Sequence, residues 1–206
     1  MTVTRPEPGT FTGTHVVLEP LMEAHLAELW PAIGVPEVFA GGYGGGPGGL
    51  PSDAESFVEW MRGSYLGHAD RFPFAVRLVG GVEAGRLVGV STLGDLDDTN
   101  AGLQLGWTAY DPRVWGAAVN PETKLLLLGF AFDSGYVRVQ IQADAINARS
   151  RAAILKLGAT FEGIQRKHRI RADGSWRDTA VYSILDTEWP GVRAGLLARL
   201  EQESRS

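Results

Sequence analysis

The stretch from residue 113 to residue 125 reads RVWGAAVNPETKL, and it connects a predicted strand that ends at Trp107 to a predicted helix. Asn120 is a favourable N-cap and Pro121 suits the first helical position, so the helix is expected to begin there. The small residues before it allow the backbone to approach a ligand closely. Unpaired N–H groups and the helix dipole favour an anion at a helix start. The stretch therefore predicts a phosphate or pyrophosphate site, and an ordinary strand-to-helix turn is the alternative.

The segments on both sides of this stretch predict a mixed α/β (α+β) fold. Predicted strands before it cover residues 14–19, 74–79, 87–93 and 103–107, and predicted helices cover residues 22–30 and 52–65. After it come a helix at 121–134, a strand at 136–143, a helix at 148–157, two strands that flank Asp173-Gly174, and a helix after Pro190. Pro31 and Pro36 are expected to interrupt the chain after the first helix. The alternation in the second half implies a parallel strand pair, and the glycine-containing turns imply hairpins. We therefore expect a mixed central sheet with helices on both faces.

The composition is that of an ordinary globular protein. The 206 residues suit a single domain over residues 1–206, with 44% apolar and 21% charged residues. The chain has no cysteine, which excludes a disulfide framework, a thiolate zinc site and a cysteine nucleophile, and which fits a reducing compartment. The net charge of −5 argues against a global nucleic-acid footprint. The sequence contains no apolar run long enough to cross a bilayer, and residues 1–10 lack a signal peptide's apolar core. We therefore expect a soluble cytoplasmic protein with no membrane or nucleic-acid partner.

Residues 41–49 read GGYGGGPGG and form the most unusual segment of the chain. The segment lacks the Gly-Lys-Ser/Thr ending of a nucleotide-binding phosphate loop, so a mobile surface loop is the simpler interpretation. A lid over a ligand site is the alternative. The four histidines show no metal-ligand spacing, so no metal site is predicted. The sequence also contains no G-x-S-x-G elbow, and a serine hydrolase is therefore not supported.

Two short patterns resemble signatures of the GCN5-related N-acetyltransferase (GNAT) superfamily. The first is Arg113-x-x-Gly116-x-Ala118, which is similar to the Q/R-x-x-G-x-G/A signature and stands between a strand and a helix. The second reads NARS at residues 147–150 and ILKLGA at residues 154–159. It resembles the corresponding helix of the ribosomal-protein acetyltransferase branch, the RimJ/RimL-like group. Together they point to a coenzyme A site built from two separate parts of the chain.

The resemblance extends over nearly the whole chain and implies an architecture. Residues 15–21 and 163–189 also resemble the RimJ/RimL-like group. The family's sheet is splayed open between its fourth and fifth strands, which correspond here to residues 103–107 and 136–143, and acyl-CoA lies in the cleft. The resemblance thus implies acetyl-CoA as co-substrate, no metal, and a chain that can form a homodimer.

The resemblance also assigns roles to individual residues. The coenzyme A pyrophosphate would bind the backbone of the signature loop, and the pantetheine arm would pair with the exposed edge of the strand at 103–107. One backbone N–H of that strand would stabilise the oxyanion of the tetrahedral intermediate. Asn147 would touch the pantetheine and Ser150 would donate a proton to the departing thiolate, with a helix cap and a solvated hydroxyl as the plainer alternatives. The residues implied for cofactor binding are Leu105, Gly106, Trp107, Arg113, Trp115, Gly116, Ala117, Ala118, Val119, Asn147 and Ser150.

Gln104 occupies the position where many relatives carry a glutamate that removes a proton from the amine. Glutamine cannot accept a proton at useful pH, whereas a lysine-type amine has a pKa of about 10.4. The candidate bases elsewhere in the chain are Glu19, Asp95, Asp97 and His168. Otherwise the amine arrives neutral or loses its proton through water.

The resemblance implies acetyl transfer by direct attack of a primary amine, with Ser150 and Gln104 as the catalytic candidates. The acceptor would be a protein N-terminus or a small amine, because acceptor loops vary within this superfamily. The missing glutamate leaves a second interpretation open, in which the chain is a non-catalytic acyl-CoA-binding module.

Overall fold

The structure is a computed structural model that describes residues 3–5 and 7–203. The strands are β1 (Phe11–Thr12), β2 (Val16–Pro20), β3 (Arg71–Leu78), β4 (Leu87–Asp97), β5 (Gly102–Tyr110), β6 (Arg138–Asp144), β7 (Thr160–Ile170) and β8 (Trp176–Leu185). The helices are α1 (Glu23–Ile33), α2 (Pro36–Phe39), α3 (Ala54–Tyr65), α4 (Val119–Asp133), α5 (Ala148–Lys156) and α6 (Trp189–Glu203). Within the described ranges, no helix is long and apolar enough to cross a membrane.

The eight strands form one sheet in the order β1-β2-β3-β4-β5-β6-β8-β7. Every neighbouring pair is antiparallel except β5 and β6, which run parallel. That parallel pair is short, because only residues 102–104 of β5 face residues 138–140 of β6. Beyond this point the two strands separate and the sheet is splayed. The predicted mixed sheet, and its opening between these two strands, are confirmed.

Alternating side chains of the central strands pack into two apolar cores, one on each face of the sheet. Val76 belongs to the core that is covered by α4 and α6, whereas its neighbour Ala75 belongs to the core that is covered by α1 and α3. This is the two-residue period of a strand with both faces buried. Fully buried side chains such as Phe57 each contribute about 1.5–3 kcal/mol to folding. The prediction of helices on both faces is confirmed.

Helix α4 begins at Val119, two residues before its predicted start at Pro121. Its N-cap is Ala118, which makes no side-chain cap hydrogen bond, so the prediction that Asn120 caps the helix is wrong. Ala118 already has helical dihedral angles, with φ −58° and ψ −19°. Pro121 is tolerated at the third helical position because amides of the first turn have no intrahelical acceptor to lose.

Pro31 lies within α1 and does not interrupt the helix, so that prediction is also wrong. Proline removes one i→i−4 hydrogen bond. The cost is limited here because the helix ends at Ile33, two residues later. Pro36 occupies the first position of the short helix α2, where its missing N–H costs nothing.

The glycine-rich segment at residues 41–49 is not a free surface loop. It forms two 3-10 turns, Tyr43–Gly45 and Pro47–Gly49, and most of its residues are half-buried. The Gly45 carbonyl accepts a hydrogen bond from the Ala172 N–H in the β7–β8 turn, at 3.0 Å. The segment therefore spans from the end of α2 to the β7–β8 hairpin, and it closes one side of the opening in the sheet.

Gly49→Ala is expected to destabilise the protein, because an alanine Cβ would lie 2.0 Å from the Gly44 carbonyl oxygen. The clash is with backbone, which must shift, and the expected loss in free energy of unfolding is about 1–3 kcal/mol. Gly63→Ala is the matched control, since a Cβ there meets nothing within 4 Å and the residue lies in α3. That change is expected to stabilise by roughly 0.5–1 kcal/mol. Urea unfolding of both variants checks the sign, and equal stability would contradict the packing described for the segment.

Candidate functional site

Two adjoining cavities open where β5 and β6 separate. The first cavity, of about 260 Å³, lies between the loop before α4 and the side of α5. The second cavity, of about 430 Å³, lies between the glycine-rich segment and the β7–β8 hairpin. The residues that line both cavities include Gly106, Trp107, Thr108, Asn147 and Ser150. Among the predicted residues, Gln104 lines only the second cavity and Leu105 only the first, whereas Ser150 lies at their junction.

The loop before α4 presents backbone N–H groups without partners. In the part of the chain that the structure describes, the N–H groups of Gly116, Ala118, Val119 and Asn120 donate to no protein acceptor. Gly116 has φ +84°, and a Cβ built on it would meet nothing within 4 Å, so the backbone faces open space. Four free donors beside a helix start are suited to a phosphate or pyrophosphate group. The anion site stays a prediction, and these free donors support it.

The side chains of this loop are less involved than its backbone. Of the residues implied for cofactor binding, those that line the first cavity are Leu105, Gly106, Trp107, Trp115, Gly116, Asn147 and Ser150. The side chains of Ala118 and Val119 are buried in the core, and Ala117 lies outside the cavity lining.

Arg113 does not line either cavity, and its guanidinium is bound by Asp111, with an Nη2–Oδ2 distance of 2.7 Å. Asp111 is buried and also pairs with Arg86 at 2.5 Å. Burial alone would raise the pKa of Asp111, but the hydrogen bonds from Arg113 and Arg86 outweigh it and hold the pKa below its usual value. The Asp111 carboxylate also accepts the Arg113 N–H and caps the turn Pro112–Val114. Arg113 therefore stabilises the turn at the start of the loop through its contacts with Asp111.

Trp115 and Arg149 face each other across the mouth of the first cavity. The Arg149 guanidinium carbon lies 3.3 Å from the centroid of the Trp115 ring, a cation–π contact. The Trp115 indole N–H donates to the Tyr110 carbonyl at 3.0 Å, which fixes the ring beside the loop. Arg151 of the same helix donates instead to the Tyr182 hydroxyl at 3.1 Å, and so belongs to the scaffold. Among the basic residues of α5, Arg149 lines the cavity, whereas Arg151 and Lys156 do not.

A β-bulge in β5 shapes the junction of the two cavities. The pairing of β4 with β5 shifts register between Val90 and Thr92, and Trp107 takes the left-handed φ of +44°, which is uncommon for a residue with a side chain. The Tyr65 hydroxyl donates to the Trp107 carbonyl at 3.0 Å and lies 2.6 Å from the Tyr43 hydroxyl. Burial raises the pKa of both tyrosines, so both remain neutral donors at physiological pH. These contacts hold the bulge in place.

Lys124 lies buried beneath the bulge, although it has no carboxylate partner among the described residues. Its Nζ donates to the Ser91 hydroxyl at 2.9 Å and to the Thr108 hydroxyl at 2.8 Å. Burial disfavours the charged form and lowers the pKa of Lys124 to about 7. Lys124 thus connects α4, which follows the loop with the free N–H groups, to the bulge that faces both cavities.

Lys124→Met is expected to flatten the pH dependence of stability. Between pH 7 and 9 the unfolded lysine, with a pKa near 10.5, binds a proton that the folded one has largely lost. Stability of the parent protein should therefore rise with pH, by up to about 1.4 kcal/mol per unit from this residue. Urea unfolding at several pH values measures the slope. Equal slopes in the parent protein and the variant would contradict a buried lysine that is neutral above pH 7.

Gln104 and Ser150 each carry a side-chain oxygen that has no hydrogen-bond partner among the described residues. Gln104 is 6% exposed and lines the second cavity, and its Oε1 is buried without a hydrogen-bond partner. The Ser150 hydroxyl makes no hydrogen bond to another described residue, while its backbone N–H donates to Asn147 Oδ1 at 3.0 Å. Asn147 is therefore the N-cap of α5, and its Nδ2 donates to the Gly41 carbonyl. The amide of Asn147 thus ties the glycine-rich segment to α5.

The carboxylates and the histidine considered as bases lie away from both cavities. Glu19 pairs with Arg77 on β3, and Asp97 accepts hydrogen bonds from Asn100 in the β4–β5 turn. Asp95 and His168 likewise line neither cavity, and burial lowers the pKa of His168. Their role as the base therefore stays a prediction that the lining of the two cavities does not support.

The structure brings charged residues into the second cavity that sequence patterns did not single out. Asp144 is the only carboxylate among the described residues that line the two cavities, and it pairs with Arg171 at 2.8 Å. Arg71, Arg169 and Arg177 line the same cavity. The one available signal was the recurrence of arginine at alternate positions near the Asp173-Gly174 turn, which places several of them on one face of a hairpin.

Comparison with known proteins agrees with this geometry. A family model described as the acetyltransferase (GNAT) domain matches residues 15–160, which is most of the chain. No curated protein matches the chain.

Several solved structures are similar over nearly the whole chain. A protein from T. thermophilus described as an acetyltransferase is 37% identical, with 96% of this chain and 100% of its own covered and a TM-score of 0.84. A GCN5-related N-acetyltransferase from Brucella melitensis is 29% identical, with 97% and 88% covered and a TM-score of 0.86. RimJ from Mycobacterium smegmatis, solved in complex with CoA-disulfide, is 19% identical with a TM-score of 0.70 and 97% of both chains covered, a likeness of fold alone. The chain therefore belongs to the GNAT family and is an acyl-CoA-dependent acetyltransferase.

Proposed function

We propose that the enzyme transfers the acetyl group of acetyl-CoA to a primary amine at the junction of the two cavities. The observation that carries the proposal is the placement of Ser150 and the β5 bulge in the lining of both cavities. The first cavity would hold the donor, because the free N–H groups of the loop lie on its side. The second cavity would hold the acceptor. Donor and acceptor would then meet without a covalent acyl-enzyme.

The donor would bind mainly through backbone groups. The unpartnered N–H groups of Gly116, Ala118, Val119 and Asn120 fit the pyrophosphate of coenzyme A, because they are donors that lack an acceptor. The pantetheine arm would run along β5 beyond Gln104, where the strand has no neighbour on the β6 side. Arg149, at the mouth of the cavity, is suited to the 3′-phosphate of the adenosine.

The chemistry would be a direct displacement. The nitrogen lone pair of the neutral amine attacks the thioester carbonyl carbon, the C–N bond forms, and the oxygen takes the negative charge. A backbone N–H of β5 would stabilise that oxyanion. As the intermediate collapses, the C–S bond breaks and the thiolate takes a proton from the Ser150 hydroxyl, which is replenished by water. One of the two protons on the attacking nitrogen leaves to water, and the amide product keeps the other.

Gln104 would orient the amine and would not deprotonate it. Its side-chain amide lines the second cavity and carries an Oε1 without a partner, and a small rotation of the amide would bring that oxygen to an amine N–H. A hydrogen bond to an otherwise unsatisfied buried acceptor is worth more than an average one. The acceptor would therefore enter as the neutral amine or lose its proton through water.

The lack of an unpaired carboxylate in the described cavity lining favours one other function, that of a non-catalytic acyl-CoA-binding module. Release of free coenzyme A thiol in the presence of a panel of primary amines and N-terminal peptides separates the two. The proposal expects amine-dependent release and an acetylated product detected by mass. Acetyl-CoA binding with no turnover on any acceptor at pH 7 to 9 would leave the binding module as the function.

Ser150→Ala is expected to reduce kcat by about tenfold, since a thiolate of pKa about 8.5 needs only weak acid assistance. The affinity for acetyl-CoA should stay nearly the same, because the backbone N–H of residue 150 still donates to Asn147 Oδ1 and the start of α5 is unchanged. The reduction should be smaller at low pH, where solvent can protonate the thiolate. An unchanged kcat across the pH range would remove Ser150 from the mechanism.

The cellular setting and the assembly belong to the same proposal. The absence of cysteine supports a reducing cytoplasm. A homodimer is proposed from the likeness to the RimJ/RimL-like group, and either a protein N-terminus or a small amine satisfies the chemistry above.

A further inference from the structure

The second cavity carries a strong local positive charge in a chain whose net charge is −5. Four arginines line it: Arg71, Arg169, Arg171 and Arg177. The only carboxylate among its described lining residues is Asp144. Four positive charges and one negative charge leave an excess of three in the wall of one cavity. Such an excess favours an anionic ligand.

The single carboxylate is already engaged. The Arg171 guanidinium lies against both Asp144 oxygens, at 2.9 Å from Nε to Oδ2 and 2.9 Å from Nη2 to Oδ1. This is a bidentate pair in which the Asp144 side chain is 2% exposed and the Arg171 side chain 15% exposed. Arg171 is therefore part of the cavity wall, and the other three arginines have no carboxylate partner within the described residues.

Two of those three arginines also have buried nitrogens without an acceptor. The Nε atoms of Arg71 and Arg177 are buried and make no hydrogen bond. Arg71 is held by its Nη1, which donates to the Ser64 carbonyl at 2.9 Å, and it lies over the Trp107 ring at 4.6 Å. Unsatisfied buried donors of this kind add to the positive potential of the cavity wall, which a bound anion would offset.

Arg169 and Arg177 are also opposed to each other. They are direct register partners on the antiparallel strands β7 and β8. Like charges that face each other across two strands are destabilising. The fold thus keeps a repulsive pair at the cavity, which an anion between or beside them would relieve. Arginine suits carboxylate and phosphate because its planar fork binds both oxygens of such a group.

We propose that the acceptor is a small primary amine that carries a carboxylate or phosphate group, and that Arg177, Arg169 and Arg71 bind this group while the amine reaches Gln104. The inference rests on the proposed acetyl transfer. The cavity volume of about 430 Å³ suits a ligand of small-molecule size. The glycine-rich segment, which the hydrogen bond between Gly45 and Ala172 ties to the β7–β8 hairpin, lines the same cavity.

The same charges would assist the chemistry. Nearby positive charges disfavour the protonated form of an amine and lower its pKa. The acceptor would therefore lose its proton more readily in this cavity than in water. The arginines would thus compensate in part for the glutamate that Gln104 replaces.

The test compares three four-carbon amines that differ in the terminal group, together with a phosphate probe and a peptide. The probes are 4-aminobutyrate, butylamine and 1,4-diaminobutane, with O-phosphoethanolamine as the phosphate probe and a peptide with an N-terminal aspartate as the macromolecular source. We expect kcat/KM to be at least about tenfold higher for 4-aminobutyrate than for butylamine, and lowest for the diamine. Arg177→Gln should reduce the ratio of acid to neutral acceptor by about tenfold or more.

Arg166→Gln is the matched control, because Arg166 is exposed on the same hairpin and lines neither cavity. It should leave the ratio unchanged, and Arg169→Gln serves as a second variant should Arg177→Gln fold poorly. Equal kcat/KM for the acid and the neutral amine would overturn the inference while leaving acetyl transfer intact. A clear preference for the peptide would overturn the small-molecule assignment. Failure to acetylate any amine would remove the proposed function and this inference with it.

Discussion

Gly116→Trp is expected to abolish measurable binding of acetyl-CoA. The residue adopts φ +84° and its missing Cβ faces open space in the first cavity, so an indole there would occupy the volume in front of the free N–H groups. Those N–H groups would lose access to the pyrophosphate, which they are proposed to hold by charge-assisted hydrogen bonds. A loss of several such bonds corresponds to roughly a 100-fold or greater weakening. Isothermal titration calorimetry with acetyl-CoA measures it directly.

The matched control is Gly81→Trp. Gly81 has a similar positive φ of +70°, and a Cβ there also meets nothing within 4 Å, but the residue lies in the β3–β4 turn away from both cavities. Both variants carry the same backbone strain of about 1–2 kcal/mol, so a general effect on stability would appear in each. Binding that survives in Gly116→Trp, or that is lost equally in both variants, would show that this loop does not hold the donor.

Gln104→Leu is expected to reduce kcat/KM for the amine by roughly 10- to 100-fold, with acetyl-CoA affinity nearly unchanged. The change removes the buried Oε1 that lacks a partner and that would accept a hydrogen bond from the amine. The free energy of unfolding should not fall, because leucine fills the same volume without an unsatisfied polar atom. A steady-state assay of thiol release combined with urea unfolding separates the two effects.

Gln140→Leu is the matched control for this change. Gln140 is the direct register partner of Gln104 on β6, but it lines neither cavity. The same substitution there should leave kcat/KM for the amine unaltered. If Gln104→Leu retained full activity, Gln104 would have no role in orienting the acceptor.

Most of the fold follows from local sequence patterns and from a few motifs. The alternation of helix and strand after residue 100 predicted the parallel pair of β5 and β6, and the Asp173-Gly174 turn predicted the β7–β8 hairpin. These features depend on neighbours in the chain, which a pattern can report. Pro31 and Asn120 were misinterpreted because packing overrode the local preference, as it does when a helix is held by its buried face.

Most of the first cavity could be predicted from the sequence, and the charged lining of the second could not. Gly116 and Asn147 lie in contiguous motifs, whereas the arginines of the second cavity come from β3 and from the β7–β8 hairpin, about a hundred residues apart. The placement of the glycine-rich segment could not be predicted for the same reason, because its hydrogen bond to Ala172 joins residues that are far apart in the sequence. Long-range placement of charge depends on strand order, which local composition does not report.

The most direct test is a crystal structure of the protein with acetyl-CoA. We predict the pyrophosphate on the N–H groups of Gly116, Ala118 and Val119, and the thioester at the junction between the two cavities. The acetyl carbon should face the second cavity on the side of Gln104, with the sulfur near the Ser150 hydroxyl. An acetyl group that lies outside this junction, or a pyrophosphate bound anywhere other than the loop before α4, would contradict the account.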